Sequence, residues 1–202
     1  IDSPKFERFQ KCLKVPVSEY VRVIHSETTK TAHWNGLSVC GSVWVCPVCG
    51  SKIMSERCQE LLSGMEKFLR EDRKQHEVLM LVLTHSHTRH DSLESLMDRK
   101  AKALTFFFGH RSTREALKSI GHIGHVNSME ITTSKLNGWH PHNHVLLFNT
   151  KKSDQAELKK ILFPIWERAC SLQGLSVNED CFTIQGGNYS SSYVSKLHQE
   201  MT

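Results

Sequence analysis

The segment Gly138-Trp139-His140-Pro141-His142-Asn143-His144-Val145-Leu146-Leu147-Phe148 restricts the fold most, because closely spaced histidines run directly into an apolar stretch. In an extended strand, residues two apart point to the same face. His142 and His144 therefore present two imidazoles to one side, at about the separation that a single metal ion bridges. Neutral imidazole suits several divalent ions. Asn137-Gly138 at the start of this segment is a hairpin signal, which makes residues 138–149 one strand and 122–133 its partner, and brings Glu130 into consideration as a third ligand. Register decides the matter. A two-residue Asn137-Gly138 turn leaves Glu130 on the wrong face, whereas a three-residue turn over Leu136-Asn137-Gly138 sets it opposite His144. A longer loop of the same parity also serves.

Around this hairpin the pattern predicts a strand at 77–85, helices at 92–110 and 153–173, a strand at 180–185 and a helix at 189–200. Asp91-Ser92 and Ser153-Asp154 are the expected N-caps. The fold class is α+β, an antiparallel-rich central sheet with helices packed on it. Upstream, residues 1–58 have irregular hydrophobicity, and one long helix from Ser51 to about Arg73 joins the two regions. The expected division is 1–74 and 75–202. The longest apolar run, Val78 to Leu83, is far short of the roughly 18–20 residues needed to span a bilayer, so no membrane partner is expected. The opening Ile1-Asp2-Ser3-Pro4-Lys5 has neither an initiator Met nor a signal-peptide pattern. The expectation is a cytoplasmic protein cut from a longer chain. A net charge of +5 permits a polyanionic partner.

Seven cysteines are an odd count for a disulfide framework. Cys40, Cys46 and Cys49 crowd together, and Cys46-Pro47-Val48-Cys49-Gly50 is a turn whose thiolates can clasp one tetrahedral ion. Structural Zn2+ is the reading, with Cys12 as the first choice for fourth ligand, His33 next and Cys58 third. Cys170 and Cys181 fall inside predicted elements and read as small buried apolar residues.

Two of the three tyrosines occur as Tyr189-Ser-Ser-Ser-Tyr193-Val-Ser-Lys196. On a helix, positions three and four apart share a face. A phenol with a pKa near 10 is a weak nucleophile unless a metal polarises its target and a cation supports the developing charge.

These motifs together resemble the rolling-circle replication initiators, the Rep proteins of small plasmids and some phages, within the HUH endonuclease superfamily. His142-Asn143-His144 looks like the family's His-hydrophobic-His element, with a polar residue at its centre, and Glu130 matches its upstream acidic ligand. Leu81-Val82-Leu83-Thr84 resembles motif I. Tyr193 and Lys196 match the Tyr-x-x-Lys motif, and Tyr189 matches the additional tyrosine of two-tyrosine members. Similar zinc-binding segments precede the catalytic motifs in part of the family. The resemblance implies an HUH-type sheet, Mg2+ or Mn2+ at Glu130, His142 and His144, and nicking of single-stranded or extruded origin DNA through a 5′-phosphotyrosine link. A host helicase and polymerase are the partners it implies. Rival readings are a transposase or relaxase of the same superfamily, a zinc-binding DNA adaptor without activity, and a metallohydrolase that activates water.

Overall fold

The computed structural model describes residues 4–28 and 30–186. Four strands build the main sheet: β3 (Glu77–Leu83), β4 (His122–Ser134), β5 (Gly138–Asn149) and β6 (Phe182–Gly186), in the order β4-β5-β3-β6. Every neighbouring pair is antiparallel. Three helices follow the same chain: α3 (Leu93–Gly109), α4 (Arg111–Ser119) and α5 (Gln155–Ser171). This is the expected α+β class. Ser92 caps α3 by accepting from the Ser95 amide, and Asp154 caps α5 by accepting from the Ala156 and Glu157 amides.

Strand alternation gives the sheet two different faces. Odd-numbered Leu79, Leu81, Leu83, Val145 and Leu147 form the main core with Leu96, Ala103, Phe107, Leu162 and Trp166 from the helices. Even-numbered Val78, Met80 and Leu146 are also buried, and Phe148 meets Phe68 edge-on at 5.4 Å. Further along β5, that even face carries the histidines.

The described residues group into two compact units that meet in sequence at Leu62 and Ser63. The first contains α1 (Pro4–Gln10), the ribbon β1 (Arg22–Ser26) and β2 (Thr31–Asn35), and the start of α2 (Pro47–Glu71). Backbone bonds from Leu13 to Ser38, Ser38 to Val15 and Val17 to Gly36 lengthen that ribbon toward the cysteines.

Several boundaries differ from expectation. The predicted helix 92–110 stops at Gly109, and a separate nine-residue α4 follows. The joining helix starts at Pro47 rather than Ser51, since proline suits the first helical position. The last strand begins after a short 3-10 turn, Glu179–Cys181. The ribbon β1–β2 was not expected, because nearly all its side chains are exposed and none of the usual inside-outside alternation marks it. The predicted helix 189–200 lies outside the described residues.

Candidate functional site

The hairpin register puts three chemically suited side chains on one face. Ser134 pairs with Gly138 around the loop Lys135-Leu136-Asn137, so Glu130 lies opposite His142 and Ser128 opposite His144. The parity is the one the chemistry requires, but the pairing is shifted by two from the expected Glu130–His144 pair. The reason is that Gly138, at φ +76°, takes the first paired position of β5 and does not lie inside the turn. Glu130 still reaches both rings. Its Oε2 is 3.0 Å from His142 Nε2 and 3.3 Å from His144 Nε2, and the donor atoms of all three lie within 4.8 Å of one another.

This set fits a divalent ion. Ligand atoms about 2.0–2.2 Å from a shared ion, at right angles to each other, lie about 3 Å apart. Two imidazoles and one carboxylate on a single side leave the remaining positions of an ion open. The histidines are largely enclosed, at 15% and 11% side-chain exposure, while Glu130 is at 35%. Burial, with His142 alongside, pushes His144 down to about 4, so its ring is neutral and able to ligate at neutral pH.

Polar neighbours orient the group. His142 Nδ1 lies 3.4 Å from the His140 carbonyl, which directs Nε2 toward Glu130. His140 sits 3.1 Å from His87, Nδ1 to Nδ1, and 3.3 Å from Thr84 Oγ1. Thr84 is fixed in turn by the Trp166 indole, which donates to its carbonyl at 3.0 Å. Asn143, polar where the motif is usually apolar, points to the core face with only 1% exposure and donates to Asn127 Oδ1 at 2.9 Å. His85 is buried against the Ser86 carbonyl and is not part of the group.

Lys100 escaped sequence reasoning although a signal was there. The inward stripe of α3 reads Leu96, Lys100, Ala103, Phe107, and a lysine in a core stripe is anomalous. Its ammonium donates to the Leu83 carbonyl at 3.0 Å and the Pro141 carbonyl at 2.6 Å.

A second group lies in the first unit. The Cys12, Cys40, Cys46 and Cys49 sulfurs converge within 4.8 Å. Individual separations are 3.5 Å for Cys12–Cys49 and 3.7 Å for both Cys40–Cys49 and Cys46–Cys12. Four thiolates about 2.3 Å from a tetrahedral zinc stand about 3.8 Å apart, so the set fits that ion. Amides of Cys40, Ser42 and Cys49 point at the sulfurs of Cys12, Cys40 and Cys46. The Cys49 amide draws Cys46 down to about 7 against its burial. All seven cysteines are free thiols. His33 is on exposed β2 and Cys58 is on α2, and neither joins the group. Tyr189, Tyr193 and Lys196 lie outside the described residues.

An antiparallel sheet with α3 and α5 packed on one face and a two-histidine, one-carboxylate group on the other defines an α+β protein with a candidate divalent-metal centre. The chain belongs to the replication-protein family Rep_1, whose model matches residues 32–157. It is similar to the "Protein rep" of Streptomyces lividans, 27% identical over 159 residues that cover 63% of this chain and 33% of that one. The "Protein rep" of Lentilactobacillus hilgardii is 26% identical over 136 residues, covering 63% and 40%. A "Neomycin resistance protein" of Streptomyces cyanogenus is 27% identical over 136 residues, covering 55% and 30%. The chain spans about a third of the length of the curated relatives it matches. No solved structure matches it significantly. Among the described residues no helix is long and apolar enough to cross a membrane.

Proposed function

We propose that this chain carries the DNA-nicking and joining activity of a plasmid rolling-circle replication initiator. The observation that carries this reading is the convergence of Glu130, His142 and His144 on one sheet face in a member of the replication-protein family. Glu130, His142 and His144 would hold a divalent ion, which would supply Lewis-acid polarisation of the scissile phosphate of single-stranded or extruded origin DNA. Tyr193 supplies the nucleophile. Its phenol oxygen bonds to phosphorus as the bond to the 3′-oxygen breaks, and the phenol proton ends on that leaving oxygen. The products are a 5′-phosphotyrosine and a free 3′-hydroxyl able to prime synthesis. Lys196 offsets the charge that builds on the phosphate, and Tyr189 serves as a second nucleophile in strand transfer. Zinc at the four cysteines fastens a region with little core of its own. Mn2+ is expected to support nicking at least as well as Mg2+, because imidazole suits it better.

The test is incubation of the chain with a panel of single-stranded oligonucleotides and Mn2+ or Mg2+. A covalent adduct that maps to Tyr193, and is lost in Tyr193→Phe and in His142→Ala, is the expected result. Tyr189→Phe leaves the first nick intact. An adduct that persists in the Tyr189→Phe, Tyr193→Phe double variant refutes the tyrosine mechanism. Cleavage without any adduct, unaffected by Tyr193→Phe, points instead to an activated water.

A further inference from the structure

Lys100 occupies a position where its helix calls for an apolar side chain, and it is completely buried. A buried amine is tolerated only where it finds hydrogen-bond acceptors. Two backbone carbonyls accept from it: Leu83 O at 3.0 Å and Pro141 O at 2.6 Å. The choice of carbonyls is informative. Leu83 ends β3 and pairs with Asn143, so no β3 residue faces Pro141 on that side. Lys100 stands in for the missing strand and joins the end of β3 to β5 one residue before His142.

The peptide it grips adjoins the candidate metal centre. Pro141 lies between His140, whose carbonyl approaches His142 Nδ1, and His142, whose Nε2 meets Glu130. Side chains at 141 and 142 point to opposite faces, so Lys100 works from the core side of the sheet on a group presented on the other. We infer that Lys100 is a positioning residue for the Glu130–His142–His144 centre, holding the Pro141 carbonyl and through it the direction of the His142 ring.

This rests on the reading of that centre as a divalent-metal site, and the experiment separates the two. Mn2+ binding by the whole 202-residue chain is measured by titration calorimetry for wild type, Lys100→Met, Lys100→Gln and Lys100→Arg. Leu162→Ala, a core cavity variant that removes no hydrogen bond to either carbonyl, serves as the control for lost packing. Removing a partner that orients a ligand typically weakens metal affinity about 10- to 100-fold. Lys100→Met is expected to fall in that range, and Lys100→Gln, which keeps a donor, between it and wild type; Lys100→Arg is expected to bind more tightly than Lys100→Met if its larger fork is accommodated. If Lys100→Met does not fold, the glutamine variant carries the test. Wild-type affinity in a folded methionine or glutamine variant overturns the inference, as does equal weakening in Leu162→Ala. A wild type that binds no Mn2+ sinks the metal reading itself. Lys100 is then judged from the ring-nitrogen NMR signals of His142 in the metal-free protein, which are expected to shift in Lys100→Met; unchanged signals overturn the inference.

Discussion

His85 shows how one buried ring ties this fold to pH. It follows Leu81-Val82-Leu83-Thr84, is 1% exposed, and donates from Nδ1 to the Ser86 carbonyl at 3.1 Å. Burial pushes it down to about 4, and the charges of Lys100, His87 and His140 act in the same direction. Unfolded, a histidine takes up a proton below about 6.5, while the folded ring stays neutral until about pH 4. The unfolded state therefore binds more protons across that window, and stability falls as pH drops through it, then levels off. The size is at most about 3 kcal/mol from the shift. Urea unfolding near pH 7 and near pH 4.5, with chelator present, is expected to show this loss in wild type. His85→Leu should show a smaller loss, because His144 still contributes in the same direction. An identical pH dependence in the two proteins would falsify the assignment. At this scale the sequence was readable where chemistry repeats at fixed spacing, as at His142 and His144. It marked Lys100 only as a lysine in an apolar stripe, and the carbonyls that the side chain meets depend on where β3 stops.

The central hairpin was the most legible element, since β5 spans Gly138–Asn149 as expected. What the pattern did not settle was which residue begins the pairing. That depends on loop geometry, and Gly138 decides it. Its φ is +76°, and a Cβ there would lie 3.0 Å from Arg89 Cα and 3.2 Å from the Thr88 carbonyl. Both the backbone conformation and the tight space disfavour a larger residue. Gly138→Val is expected to cost about 1–3 kcal/mol and to loosen the strand end that carries His140. Thermal unfolding measures the cost, and proton exchange at the Trp139 and His140 amides locates it. Wild-type stability would mean that the loop readily adopts another turn. Elements that escaped the sequence reading did so for identifiable reasons. In α4 the buried Thr113, Ala116 and Leu117 do keep helical spacing, but the helix is only nine residues long and follows α3 directly, so it did not stand out as a second helix. In β1 and β2 almost every position is exposed, so alternation had nothing to report.

At the scale of the whole molecule, the two units hold themselves together by different means. The second has a continuous core built from both the helices and the sheet. In the first, the buried cluster around the sulfurs consists of Cys12, Cys46 and Cys49, with Phe9, Leu13, Cys40 and Ile53 packed against it. Val23, Trp34, Val39 and Trp44 are all more than half exposed. Such a region lacks the apolar burial to offset the entropy of ordering its chain, so metal binding is expected to supply the difference. Structural zinc contributes on the order of 10 kcal/mol in small modules. Wild type is thus expected to hold one tightly bound zinc per chain. Cys46→Ser with Cys49→Ser should release it and abolish amide protection across β1 and β2. Protection in β3 and β5 should persist, because their bonds are shielded by leucines from α3 and α5 that owe nothing to the cysteines. Mn2+ binding at Glu130, His142 and His144 should then survive zinc loss, a separation readable by metal analysis and hydrogen exchange on one sample. Full zinc retention in the double variant would remove the ion from this account. Collapse of both units together would show that the sheet depends on the cysteine region for its own folding.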